Sequence, residues 1–148
     1  MDFFTAETGT IALQLLLAIL LGSTIGLERK IAHRTAGIKT FALVSLGSAL
    51  FTMISEMVYA ELANPSGFDP GRIAAQIVVG VGFLAGGVII FNNEKVHGLS
   101  TSAGIWVSAG IGMAVGFKLY SLAILGAIAT LFIYTGLLLL EKHFFKAD

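Results

Sequence analysis

Six polar side chains recur along one apolar stretch at spacings of three, four and one: Ser45, Ser48, Thr52, Ser55, Glu56 and Tyr59. At about 100° per residue they occupy an arc of roughly 100° on a helix, a polar seam along one face. Hydroxyls such as those of Ser48 and Thr52 can bond back to their own helix and need no further role. Glu56 differs, because an ionisable group inside an apolar helix faces a bundle interior or a wet cavity and marks a pathway or a relay. A second constellation follows, with Asp69 before Pro70, then Arg72 and Gln76. Asp before Pro reads as a helix N-cap followed by the first helical residue, which explains Asp69 without a ligand. Arg72 and Gln76 then lie one turn apart on a shared face. The guanidinium needs a partner, and the candidates are Asp69, Glu56 at the same end, or a lipid phosphate. A Glu56–Arg72 pair, structural or gating rather than metal-binding, is the one favoured.

These residues sit in a chain built for lipid. Of its 148 residues 56% are hydrophobic and only 12% charged, where soluble domains carry about 25% charged residues. Mean hydropathy is +0.90. Five stretches approach the ~20 apolar residues needed to cross a hydrocarbon core: residues 10–27, 41–59, 73–91, 102–117 and 120–140. The first three are clear. The fourth is short, and only Phe117, Lys118 and Leu119 separate it from the fifth. A tight hairpin of two spans is favoured there, because Lys118 can snorkel to an interface but is expensive at mid-bilayer. The expected fold is an all-α polytopic bundle of about five transmembrane helices.

Counted on alternate sides, Arg29, Lys30, Arg34, Lys39, Lys95, Lys142 and Lys146 fall together against Arg72 and Lys118. The positive-inside rule then predicts an outside N-terminus and an inside C-terminus. Met1 to Gly9 holds no Lys or Arg, so a cleaved signal peptide is not expected. The basic loop at residues 28–40 is also suited to anionic headgroups or a partner. Zero net charge gives no electrostatic case for nucleic acid. Absence of cysteine excludes disulfides, thiolate metal sites and cysteine nucleophiles. His33, His97 and His143 are too isolated to suggest a metal site, no nucleotide fingerprint follows a strand, and no cofactor is expected.

Thirteen of the eighteen glycines lie inside the five stretches, with Gly22-x-x-x-Gly26, Gly82-x-x-x-Gly86 and Gly112-x-x-x-Gly116 among them. Such spacing lets helix backbones approach closely, so a compact bundle that forms homo-oligomers in the bilayer is expected. Gln14, Ala18, Gly22 and Gly26 make a similar stripe on the first helix, and Thr101, Gly104, Ser108 and Gly112 on the fourth.

Taken in order, residues 22–29 (GSTIGLER), 33–40 (HRTAGIKT), 51–55 (FTMIS), 69–87 (DPGRIAAQIVVGVGFLAGG) and 96–106 (VHGLSTSAGIW) resemble the MgtC/SapB family of bacterial membrane proteins over nearly the whole chain. The resemblance implies a helical inner-membrane bundle linked to survival at low magnesium and inside host cells. For some members it implies modulation of other membrane machinery, notably ATP synthase. By motif position it points to Glu28, Arg29, Arg34, Thr40, Asp69, Arg72, Gln76, Asn92, Thr101 and Trp106. Thr35 stands where the family usually has Pro, and many members append a soluble C-terminal domain whereas this sequence reaches only Asp148. Residues 1–148 are therefore expected to form a single transmembrane domain without that appendage.

Two readings follow. The preferred one is a non-enzymatic membrane protein that regulates ion homeostasis or bioenergetics by packing against membrane partners. The alternative is a cation transporter or channel whose path is a polar seam between the second and third helices, lined by Glu56, Arg72, Gln76, Ser48 and Thr52. Magnesium favours several hard oxygen ligands, and Glu56 with Asp69 is a thin supply, which ranks transport second. Paired deep carboxylates, a Ser/His/Asp spacing and HExxH are all absent from the sequence, so an enzyme is not expected.

Overall fold

The structure, a computed structural model, describes residues 6–61, 69, 71–92 and 94–137. Among the described residues five α-helices follow one another: α1 (Ala6–Ile31), α2 (Ile38–Glu61), α3 (Gly71–Gly86), α4 (Leu99–Gly116) and α5 (Tyr120–Phe132), the last continuing as a π-helical turn over Ile133–Leu137. Between α3 and α4 lies a two-stranded antiparallel ribbon, β1 (Ile90–Asn92) and β2 (Lys95–His97), with Phe91 opposite Val96. The helical bundle matches the expected fold class, and α1, α2, α4 and the Tyr120–Leu137 segment are long and apolar enough to span.

The third span is shorter than expected. Its helix stops at Gly86 instead of continuing to residue 91. Sixteen residues reach about 24 Å, short of a ~30 Å hydrocarbon core. Gly86 and Gly87 supply no side chain to hold the last turn, which tightens into bonds from Val88 N–H to the Ala85 carbonyl and from Ile89 N–H to the Gly86 carbonyl. Val88 and Ile89 complete that turn, and the β-favouring Ile90 and Phe91 then open the first strand, Ile90–Asn92. Gly98 closes the ribbon at φ +89°, where an added Cβ would collide with the Val88 carbonyl.

Turns at both ends of the bundle are set by backbone bonds. After α4, Lys118 N–H bonds to the Val115 carbonyl and Leu119 N–H to the Ala114 carbonyl, with Lys118 at φ +60°. This Schellman arrangement makes the α4–α5 connection the tight hairpin expected from sequence. His33 takes the same role after α1, at φ +54°, with Arg34 N–H bonded to the Arg29 carbonyl. A non-glycine residue at φ near +55° carries a steric penalty. The variant His33→Gly is accordingly expected to stabilise the protein by up to about 1 kcal/mol, read as a higher thermal unfolding midpoint in detergent.

The interior is made of small and polar residues, with Ala18, Ala49, Ala109, Ser45 and Ser108 buried around Phe41 and Ile105. Large apolar side chains such as Leu13, Leu20, Phe83 and Ile128 point outward. In lipid the hydrophobic effect no longer drives helices together, so close approach through small residues takes its place.

Two of the three Gly-x-x-x-Gly pairs perform this packing. A Cβ on Gly22 would lie 2.6 Å from the Phe41 carbonyl oxygen, and one on Gly26 2.7 Å from the Ile38 Cα. On α4, a Cβ on Gly112 would overlap the Ser45 carbonyl, and one on Gly116 would lie 2.6 Å from the Thr52 Cβ. The α3 pair is different, since nothing lies within 4 Å of a Cβ placed on Gly82 or Gly86.

Candidate functional site

The two ends of the bundle carry different chemistry. Glu28, Arg29, Lys30, Arg34, Lys39 and Lys95 flank the loops at one end, which we term the basic end. Glu7, Glu56 and Lys118 meet at the other, the far end.

At the far end α1 presents Glu7, Thr10 and Gln14 at spacings of three and four, on one face. Helix α2 adds Met53, Glu56 and Met57, and the α4–α5 turn adds Lys118. Together they line a cavity of about 100 Å³. Glu56 is half-buried, and its carboxylate lies 3.7 Å from the Lys118 ammonium. Gln14, buried, donates its amide N–H to the Val115 carbonyl at 3.2 Å. The cavity therefore gathers two carboxylates beside one ammonium, hard oxygen groups of the type that bind small cations. Hard-ion chemistry of that kind leaves several waters on the ion. Among the described residues no group of three or more His, Cys, Asp or Glu side chains is placed to hold a metal.

The expected Glu56–Arg72 pair does not form. Glu56 faces Lys118, and Arg72 is exposed on α3 with no carboxylate among the described residues within 4 Å. Lys118 takes that place because the Schellman turn after α4 holds it beside Glu56 of α2. Asp69 is the N-cap foreseen, its Oδ1 accepting from Gly71 N–H at 2.8 Å. Gln76 is exposed and lines a cleft between α2 and α3.

The polar seam of α2 is real, but it faces α4 and α1 rather than α3. Ser45, Ser48, Thr52 and Ser55 are buried, and the Ser108 hydroxyl of α4 donates to the Phe41 carbonyl at 2.9 Å. Thr52 donates back to the Ser48 carbonyl at 2.8 Å, as an isolated helix would allow. The α4 and α1 glycines let their backbones close over these residues, and α3 has no equivalent contact. Only Ser48 also reaches the α2–α3 cleft.

At the basic end Arg29 is 3% exposed, paired with Glu28 and centred 3.3 Å over the ring of Tyr134 in the π-helical turn that continues α5. The Tyr134 hydroxyl donates to the Ser100 carbonyl at 2.8 Å, next to buried Thr101. Glu28, Arg29 and Thr101 thus gather at one junction of α1, α4 and α5. Arg34, Thr40 and Asn92 are exposed at the same end and do not join it. Trp106 is half-exposed on the outer face of α4. Glu7 and Tyr134 were not singled out from sequence. Glu7 sits before the first apolar run, and Tyr134 gains its meaning only from an arginine more than a hundred residues away.

Membrane-length helices, a small and polar interior and an apolar exterior define a polytopic integral membrane helix bundle. Within that class the chain belongs to the MgtC family, whose family model matches residues 15–143. It is similar to a protein of Escherichia coli K12 named "Putative magnesium transporter YhiD", 41% identical over 128 residues, covering 85% of this chain and 60% of the relative. It is also similar to "Protein MgtC" of Brucella abortus strain 2308, 44% identical over 116 residues, covering 78% of this chain and 45% of the relative. The chain thus spans between about half and three-fifths of the length of these relatives. No solved structure matches it.

Proposed function

We propose that this chain is a non-enzymatic protein of the bacterial inner membrane that serves magnesium or other ion homeostasis by acting on membrane partners, rather than by conducting ions itself. The carrying observation is the closure of the polar seam, where the α2 backbone meets Gly112 and Gly116 with no room for a Cβ. Contact of that kind supports a packed core without a water path along the seam. The open glycine face of α3 supplies a surface for a partner, a second copy of the chain or a larger machine such as ATP synthase. Segregation of basic residues to one end supports an inside location for that end and an outside N-terminus.

A second reading has its own observation, the presence of both Glu7 and Glu56 in the lining of the far-end cavity. It makes the chain a cation transporter with an outer site, in line with the name of the Escherichia coli relative. Reconstitution in liposomes separates the two. Mg²⁺, K⁺ and H⁺ flux is measured with and without a membrane potential, using Glu56→Gln as the control. The expected result is no flux above empty liposomes from folded protein. A flux that Glu56→Gln abolishes would instead establish transport through the far-end site.

A further inference from the structure

We propose that the cleft between α2 and α3 holds one acyl chain of a bilayer phospholipid, with the lipid phosphate seated on Arg72. The cleft encloses about 660 Å³, within the ~300–1,000 Å³ range of small-molecule sites. Its walls are apolar, including Leu43, Phe51, Ile77 and Leu84, and its floor is opened by Gly47 and Gly80. Nothing lies within 4 Å of a Cβ on either glycine. An unfilled gap beside packed helices forfeits dispersion contacts, so lipid will fill it.

Charge and order along α3 select the occupant. Arg72 is exposed and lacks a carboxylate within 4 Å among the described residues, and Glu56 is engaged by Lys118. Arg72 stands just outside the cleft, whose lining along α3 begins at Ile73 and Gln76, the amide one turn below Arg72 on the same face, and continues as Ile77, Gly80, Val81 and Leu84. A cation outside the mouth, an amide beside Ile73 near the entrance and hydrocarbon beyond are the groups that a phospholipid complements with phosphate, ester and chain. A hydrocarbon chain gains little by leaving bulk lipid for an apolar cleft. Retention must therefore depend on Arg72 and on the fit at Gly80. A second copy of the chain is the competing occupant, since its helix could fill the cleft and bring its own carboxylate to Arg72.

The full chain is purified in mild detergent, incubated with phosphatidylglycerol or phosphatidylethanolamine, and examined by native mass spectrometry for lipids per chain. One retained phospholipid is expected. Arg72→Gln and Gly80→Leu should each weaken retention about tenfold, the scale of one charge-assisted bond. Arg72→Lys should keep most of it, and Gly82→Leu, on the opposite side of α3, should leave lipid retention unaltered. Arg72 is exposed, so its variants test the site even where Gly80→Leu fails to fold. Retention of no lipid by the unaltered chain, or equal retention by Arg72→Gln, overturns the proposal. A dimer that either variant converts to monomer at unchanged lipid count assigns the cleft to a second copy instead.

Discussion

Replacing Gly112 by leucine is expected to abolish recovery of a monodisperse protein. A Cβ at that position would overlap the Ser45 carbonyl, with the Ser45 carbonyl carbon and Cα also inside 3.0 Å. These are backbone atoms of α2, and they cannot rotate away as a side chain would. Accommodation requires α4 to move outward, which in turn separates Gly116 from Thr52 and the Ser108 hydroxyl from the Phe41 carbonyl. Overpacking of a tight core costs about 1–3 kcal/mol or more, a large share of the ~5–15 kcal/mol that holds a typical domain. Gly112→Ala, with one methyl, is expected to lose roughly 2–3 kcal/mol of that. Gly82→Leu, in open space on α3, is the contrast. It should fold as the unaltered chain does and disturb only assembly with a partner. Size-exclusion profiles and thermal midpoints in detergent report all three, and a Gly112→Leu protein that melts with the unaltered chain would refute the packing.

The contrast between Gly112 and Gly82 shows what could and could not be read before the structure. All three Gly-x-x-x-Gly pairs look alike in the sequence, because spacing reports that a helix face is narrow but not what lies against it. Likewise the 100° periodicity located the α2 seam to the residue, from Ser45 to Glu56, but could not say that α4 rather than α3 covers it. Hydropathy found all five helices, since burial in lipid requires long apolar runs. It overran the end of α3, because Val88 to Phe91 is as apolar as a helix although the chain turns at Gly86–Ile89 and continues as a strand from Ile90. The far-end site was half legible. Glu56 stood out as a charge within an apolar run, whereas Glu7 and Lys118 lie at the edges of such runs and join it only through helix register and a left-handed turn. Asp69 was fully legible, because an N-cap is a local interaction.

Loss of Arg29 is expected to be the most damaging single change at the basic end. Its guanidinium is 3% exposed, donates to Glu28 and covers the Tyr134 ring at 3.3 Å. Arg29→Met removes the cation but leaves the Glu28 carboxylate, 17% exposed, without its partner. Breaking one side of a buried pair costs about 3–5 kcal/mol, because the remaining charge is uncompensated. Arg29→Lys should recover only part of this, since an ammonium neither forks to a carboxylate nor stacks flat on a ring. Glu28→Gln combined with Arg29→Met should be milder than Arg29→Met alone, because no orphan charge remains. Gly104 supplies an independent check. A Cβ there would occupy the position of the Tyr134 hydroxyl, so Gly104→Ala should push the ring off Arg29 and show non-additive loss with Tyr134→Phe. Thermal unfolding in detergent across this set gives the coupling energies directly. An Arg29→Met loss below about 0.5 kcal/mol, the range of an ordinary surface change, would mean that the pair does not hold the junction. A loss of the expected size would make Glu28 and Arg29 a clasp joining α1 to α5, so that their place in the family motif follows from holding the basic end together rather than from contact with an ion.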